Sequence, residues 1–67
     1  MTTIADARRA LAEKFRSAGI DSPDLDARIL TGHVLGLDHA ALVTNAARVM
    51  DADELSALDT MAGRRLK

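Results

Sequence analysis

Apolar residues recur along the chain at the three- and four-residue spacing that places side chains on one face of an α-helix. In residues 3–18 they form a single narrow stripe with charged side chains on the opposite face: Ile4, Ala7, Leu11, Phe15 and Ala18. Thr3 and Asp6 have the spacing of a capping box, in which each side chain accepts a hydrogen bond from the backbone N–H of the other. The pattern predicts an amphipathic surface helix that begins at Thr3.

Residues 22–35 carry apolar positions on two opposite sides of a second predicted helix. At about 100° per residue, the two sides are Leu25, Ile29 and Gly32 on one and Ala27, Leu30 and Val34 on the other. Ser22 is expected to cap the first turn through its hydroxyl, and Pro23 suits the first helical position. A helix that is apolar on two sides is buried between neighbours, so we expect this helix to be the centre of the fold.

Glycines mark the end of the first predicted helix and the middle and end of the central one. Gly19 and Gly36 suit the left-handed conformation that closes a helix at little steric cost. Gly32, inside the helix, costs about 1 kcal/mol relative to alanine. We therefore expect Gly32 to allow another stretch of backbone to approach closely.

Two further helices are predicted after the central one. Asp38 is placed to cap a short helix over residues 38–45, and Asp51 with Glu54 forms a second capping box at the start of residues 51–66. The linking residues NAARV show no clear periodicity and are expected to form a loop or a single turn. The buried stripe predicted for the last helix is Leu55, Leu58, Ala62 and Leu66.

The sequence thus predicts an all-α fold, a small four-helix bundle with helices at 3–18, 22–35, 38–45 and 51–66 and room for one extra short turn or helix. At 67 residues the chain is one domain, residues 1–67. Leu66 is still in phase with the last stripe, and no glycine or proline follows it. Because a helix stop is missing there, we expect the chain to be a piece of a longer protein.

Composition and charge argue against several classes of function. The chain has no cysteine, which removes disulfides and thiolate metal sites and suits a cytoplasmic protein. No apolar run approaches the roughly 20 residues needed to span a bilayer, so no membrane partner is expected. The net charge is -1 and Phe15 is the only aromatic residue, whereas nucleic-acid binders present a basic face and stacking aromatics. A nucleic-acid partner is therefore not expected.

No set of side chains has the spacing of a reactive site. The four glycines match no phosphate-binding loop, and the two histidines, His33 and His39, lack the spacing of metal ligands. We therefore predict no catalytic, cofactor-binding or metal-ligating residue in the chain. Asp26 has two interpretations: burial with Arg64 or Arg65 as its partner, or exposure near the helix start.

Ser22 also allows a specific functional interpretation, as a site of covalent attachment. An Asp-Ser pair at the start of the second helix of a small helical domain is similar to the phosphopantetheine attachment site of acyl and peptidyl carrier proteins. Pro23 stands where that family has a bulky apolar residue, and the net charge of -1 lacks its acidic recognition face. A carrier domain with Ser22 as attachment site is one alternative, and a generic helical protein-interaction module is another.

A series of short motifs runs through the central helix and its ends: Ser22-Pro23, Leu25-Asp26-Ala27, Ile29-Leu30 and His33-Val34-Leu35-Gly36. In this order they resemble the N-terminal domain of the bacterial release-factor glutamine methyltransferase family, also called the HemK or PrmC family. Arg64-Arg65 resembles the basic pair before that family's linker, so the resemblance covers nearly the whole chain. Arg28 and His39 depart from it, because the family commonly has an acidic residue and an arginine at these places.

The resemblance implies a parent enzyme that transfers a methyl group from S-adenosylmethionine to the glutamine side chain of the Gly-Gly-Gln motif in class I peptide chain release factors. In that family the donor and the glutamine bind a C-terminal catalytic domain with an Asn-Pro-Pro-Tyr motif, which does not occur in these residues. The implied role here is an N-terminal substrate-recognition domain that helps bind and orient the release factor. Exposed charges such as Arg8, Arg9 and Arg16 are expected to tune that binding modestly at most.

Overall fold

The chain folds into four α-helices and no sheet: α1 Ile4–Ser17, α2 Pro23–Leu35, α3 His39–Thr44 and α4 Ala52–Arg65. These elements come from a computed structural model that describes all residues, 1–67. Each helix begins and ends within one residue of its predicted segment, since the predicted bounds included the capping residues. The all-α class and the four-helix arrangement are therefore confirmed.

Three of the four helices begin with the side-chain caps that the sequence predicts. The Thr3 hydroxyl accepts from the backbone N–H of Asp6 at 3.1 Å, and the Asp6 carboxylate accepts from the N–H of Thr3 at 3.4 Å. Asp51 and Glu54 form the same reciprocal pair at 2.8 and 3.0 Å. Asp38 accepts from a backbone N–H in the first turn of α3 at 2.8 Å. These contacts satisfy amide groups that have no partner within the helix.

Ser22 does not cap α2 with its side chain, so that prediction is wrong. Its backbone is left-handed, with φ 56° and ψ 54°, and its hydroxyl makes no capping hydrogen bond. A capping serine needs an extended backbone to aim its oxygen at the first turn. The link from α1 spans only residues 18–22 and uses left-handed turns at both Gly19 and Ser22 to redirect the chain. Pro23 occupies the first helical position, as predicted.

The hydrophobic core lies between α1, α2 and α4, with Leu42 of α3 inserted from one end. Phe15 is completely buried at its centre. The predicted stripe of α4 is confirmed, because Leu58 and Ala62 are buried and the two flanking leucines are half-buried. The predicted apolar stripe of α1 is buried from Ile4 to Phe15, whereas Ala18 is exposed.

Only one of the two apolar sides of α2 packs against the core along its length. Ala27 is completely buried, and Leu30 and Val34 are partly buried against the core. On the opposite side Gly32 is buried, but Leu25 is 44% exposed and Ile29 is 54% exposed. The prediction that α2 is sandwiched on both sides is therefore wrong for the part of this side that carries Leu25 and Ile29. The physical reason is the size of α3, whose six residues are too few to cover the length of α2.

Gly32 has the role that the sequence predicts. A Cβ at this position would lie only 2.6 Å from the backbone carbonyl oxygen of Leu37, which leads into α3. The Leu37 N–H also donates to the Gly32 carbonyl at 2.9 Å. The absence of a side chain thus lets the chain turn tightly from α2 into α3.

The link between α3 and α4 pairs with the first residues of the chain. The Ile4 N–H donates to the Arg48 carbonyl and the Met50 N–H donates to the Thr2 carbonyl, both at 2.9 Å. Thr3 and Val49 form a single antiparallel bridge between these two hydrogen bonds. The predicted loop or turn is confirmed, and it also supplies partners to free amides of α1.

None of the four helices is both long enough and apolar enough to cross a lipid bilayer. The last helix ends at Arg65, and Leu66 follows it as the C-terminal cap.

Candidate protein-binding surface

Asp26 is partly buried and paired with an arginine, which is the first of the two arrangements that the sequence allows. Its carboxylate accepts from two nitrogens of the Arg65 side chain, at 2.8 and 3.2 Å, and its side chain is 22% exposed. The pair joins the start of α2 to the last turn of α4. Of the two arginines that the sequence offers as partners, the structure selects Arg65.

His33 and His39 lie on the two walls of one groove, between the C-terminal half of α2 and the start of α3. Both residues are exposed. No group of three or more His, Cys, Asp or Glu side chains lies close enough together to hold a metal ion.

The residues of this chain do not fit a bound S-adenosylmethionine. Every buried side-chain nitrogen and oxygen already has a hydrogen-bond partner, which leaves no buried polar group for the ribose or the amino-acid end of the donor. Phe15, the only aromatic side chain, is completely buried and unavailable for stacking on adenine.

Arg8 and Arg28 differ from the other lysines and arginines because they are partly buried and also have no acidic partner. Five basic residues each lie within salt-bridge distance of a carboxylate: Arg9, Lys14, Arg16, Arg48 and Arg65. Arg8 and Arg28 make no ion pair and no side-chain hydrogen bond, although both are half-buried. Arg8 has no acidic residue three or four positions away on α1. Arg28 does have Asp24 four positions earlier, but that carboxylate instead contacts Arg16 at 3.4 Å.

Arg8 and Arg28 both lie in shallow grooves beside α3. Arg8 lines a groove with Ile4, Ala12 and Leu42, and its aliphatic stem covers apolar surface while its charged head stays at the edge. Arg28 lines the groove between α2 and α3, which also includes Leu42. Leu42 lines both grooves, so the two arginines lie in grooves that share a core residue of α3.

Exposed apolar and imidazole groups adjoin these arginines. Ile29 lines the Arg28 groove together with His39, and Val43, one turn after His39 on α3, is 57% exposed. We define the α3 surface by the residues Arg8, Arg28, Ile29, His39 and Val43. It combines two free positive charges with apolar side chains, which is the composition of a protein-binding surface.

Sequence reasoning did not find this surface. It grouped Arg8 with Arg9 and Arg16 as ordinary exposed charges, although the lack of acidic neighbours around Arg8 was a readable signal. For Arg28 the signal was misleading, because Asp24 at four positions before it predicts an ion pair within α2. Only the packing of α1 against α2 brings Arg16 to that carboxylate.

Comparison with known proteins assigns the chain to a family. The model of the PrmC N-terminal domain family matches residues 6–67. The release factor glutamine methyltransferase of Bradyrhizobium diazoefficiens is 45% identical over 64 residues, which is 96% of this chain and 22% of that protein. The proteins of the same name from Rhodospirillum rubrum and Vibrio cholerae are 41% and 35% identical over 81% and 94% of the chain, and over 17% and 22% of their own lengths.

The chain thus spans about a fifth of the length of the curated relatives that it matches. No solved structure matches it. The matched region includes all four helices apart from the first two residues of α1, and with them the α3 surface. The chain belongs to the PrmC N-terminal domain family.

Proposed function

We propose that the chain is the N-terminal substrate-recognition domain of a release factor glutamine methyltransferase and that its partner is a class I peptide chain release factor. The observation that carries the proposal is the family match over residues 6–67, together with relatives that bear this enzyme's name. In this proposal the domain binds the release factor and orients its Gly-Gly-Gln loop toward a separate catalytic domain.

The methyl transfer itself is assigned to the remaining four-fifths of the longer protein, where S-adenosylmethionine would bind. Two features of this chain support that division. Its buried polar groups are all satisfied internally, and its concave surfaces are open grooves beside short helices rather than an enclosed reaction chamber. Such a body can raise the local concentration of a substrate and fix its orientation, and both effects accelerate a reaction on a neighbouring domain.

The catalytic domain of the longer protein is proposed to pack against the start of α2 and the end of α4, which the Arg65–Asp26 contact holds together. Leu25, in the first turn of α2, is 44% exposed. Methyl resonances of Leu25 should therefore differ between the 67-residue chain and the longer protein, whereas those of Val43 should not. Unchanged Leu25 resonances would contradict this arrangement.

A binding titration tests the proposed function directly. The isotope-labelled 67-residue chain, titrated with a purified class I release factor, should show saturable changes in backbone amide resonances. An unrelated protein of similar size and charge is the control and should produce none. If the spectra stay unchanged with the release factor in large excess, the recognition role is wrong.

The carrier-domain alternative predicts a different observable. The Ser22 residue is exposed and its hydroxyl makes no hydrogen bond, as an attachment site requires. Membership of the PrmC N-terminal domain family nevertheless favours recognition. We expect no mass increase on Ser22 when the chain is incubated with coenzyme A and a phosphopantetheinyl transferase. A mass increase equal to the phosphopantetheine arm would support the carrier-domain alternative instead.

A further inference from the structure

We propose that the α3 surface binds an acidic patch of the release factor, with Arg8 and Arg28 each receiving a carboxylate. This inference rests on the proposed function and names the part of the domain that makes the contact. The partner is identified by its chemistry: a folded protein surface that presents two carboxylates on either side of an apolar side chain.

The first step of the argument concerns the availability of the two guanidinium groups. Neither Arg8 nor Arg28 has a partner within the chain, and no buried side-chain nitrogen is left unsatisfied. Their nitrogens therefore remain in contact with solvent, while the residues as a whole are only partly exposed. Because the stems are already packed, little side-chain entropy remains to be lost when a carboxylate binds in the paired geometry that arginine favours.

The second step concerns the sign of the local charge. Two acidic groups line the grooves: Asp24 forms an ion pair with Arg16 at 3.4 Å, and Asp38 keeps its charge but is held as the cap of α3 by a backbone N–H at 2.8 Å. Within the α3 surface itself, the two charged side chains, Arg8 and Arg28, are both positive and have no ion-pair partner, although the chain as a whole carries -1. A partner with matching carboxylates compensates this charge, and a basic partner is repelled.

The third step distinguishes a protein partner from a nucleic acid. Ile29 in the Arg28 groove and Val43 on α3 are more than half exposed and offer apolar contact area that a phosphate backbone does not use. The surface carries no aromatic side chain for base stacking, and its two arginines do not form the extended basic stripe that tracks a phosphate backbone. An acidic protein surface is therefore the better match.

The test measures the dissociation constant of the 67-residue chain for a class I release factor by calorimetry. Arg8→Gln and Arg28→Gln each remove one charge but keep most of the stem, and each should weaken binding about tenfold. Arg64→Gln is the matched control, because Arg64 is also unpaired but exposed on α4, and it should change the affinity less than about twofold. The double variant should also show a weaker dependence of binding on salt than the wild-type chain.

Each alternative outcome has a defined meaning. Equal losses for Arg64→Gln and the two α3-surface variants would show general electrostatic attraction, which overturns this inference and leaves the proposed function intact. A wild-type chain that does not bind the release factor overturns both. Binding of a single-stranded oligonucleotide that is lost in the same two variants would replace the protein partner with a nucleic acid and overturn the inference.

A second measurement guards against loss of folding in the variants. The Nε–H resonances of Arg8 and Arg28 in the wild-type chain should shift on addition of the release factor, whereas that of Arg64 should not. Unchanged Arg8 and Arg28 resonances in a bound complex would overturn the inference without the use of any substitution.

Discussion

At Gly32 the chain leading into α3 passes close to the backbone of α2. The carbonyl oxygen of Leu37 occupies the space that a side chain would fill, 2.6 Å from an added Cβ. Glycine is a poor helix former, so its presence here reflects contact with backbone from outside the helix. At this scale a single hydrogen atom in place of a methyl group allows the tight turn into α3.

Gly32→Ala is predicted to destabilise the domain by about 1–2 kcal/mol, because the cost of moving backbone exceeds the gain of about 1 kcal/mol in helix propensity. Gly63→Ala is the matched control on α4, where an added Cβ meets nothing within 4 Å. That change should stabilise the domain by about 0.5 kcal/mol. Chemical denaturation of both variants measures the two values, and a stabilised Gly32→Ala variant would contradict the close approach.

Capping residues determine where three of the four helices begin. Asp38 and Asp51 place a carboxylate oxygen on the first turn of α3 and α4, and Thr3 does the same with its hydroxyl on α1. The start of α2 is different, because Ser22 is left-handed and Pro23 alone preorganises the first turn. A small polar residue before a helix therefore has one of two roles in this chain. It caps the helix with its side chain, or, as at Ser22, it turns the backbone before the helix begins.

Ser22→Ala is predicted to change the free energy of unfolding by less than about 0.5 kcal/mol, since no capping hydrogen bond is lost. Asp38→Ala, which removes an observed cap, should cost about 1 kcal/mol. Thermal or urea unfolding of both variants makes the comparison. A cost for Ser22→Ala as large as that for Asp38→Ala would mean that the serine does cap the helix.

The Asp26–Arg65 pair is predicted to couple α2 to α4 measurably. A double-mutant cycle with Asp26→Asn and Arg65→Gln should give a coupling energy of about 0.5–1 kcal/mol, because the carboxylate is largely shielded and accepts two hydrogen bonds. The Lys14–Asp59 pair, at 3.6 Å between more exposed side chains, is the control and should give close to zero. Equal coupling energies for the two pairs would contradict a specific α2–α4 contact.

The whole molecule depends on a small core. Ten apolar residues are buried in one cluster, and Phe15 is its largest member. A domain of this size retains only roughly 3–5 kcal/mol of net stability, and no disulfide or metal ligand set supplements it. The pairing of the first residues with the link before α4 adds hydrogen bonds between residues 2–5 and residues 46–50, which are distant along the sequence.

Phe15→Ala is predicted to unfold most of the population at room temperature. Truncation of a buried phenylalanine costs about 3–5 kcal/mol, which equals the expected stability of the entire domain. Val43→Ala, at an exposed position, should leave the unfolding curve nearly unchanged. Circular dichroism and the dispersion of amide resonances distinguish the two cases, and a cooperatively folded Phe15→Ala chain would show that the core is better supported than its size implies.

Interactions within one or two helical turns were predictable from the sequence. The four helices, three of the four caps, the buried stripe of α4 and the role of Gly32 all depend on neighbours that are close along the chain or on helix periodicity. The family resemblance was readable for the same reason, because its motifs follow the ends and faces of α2. Local spacing determines these features whatever the rest of the fold does.

Only the tertiary structure decided which surfaces remain free. The pattern of α2 does not say that the side of Leu25 and Ile29 stays open, because that depends on the length of α3 and on how far it reaches. Nor does the sequence reveal that Asp24 is engaged by Arg16 and leaves Arg28 without a partner, since that pairing joins α1 to α2. The sequence by itself determined where the helices are and which family the chain resembles. The packing of one helix on another decided which charges are paired, and it left Arg8 and Arg28 unpaired and partly buried on the proposed binding surface.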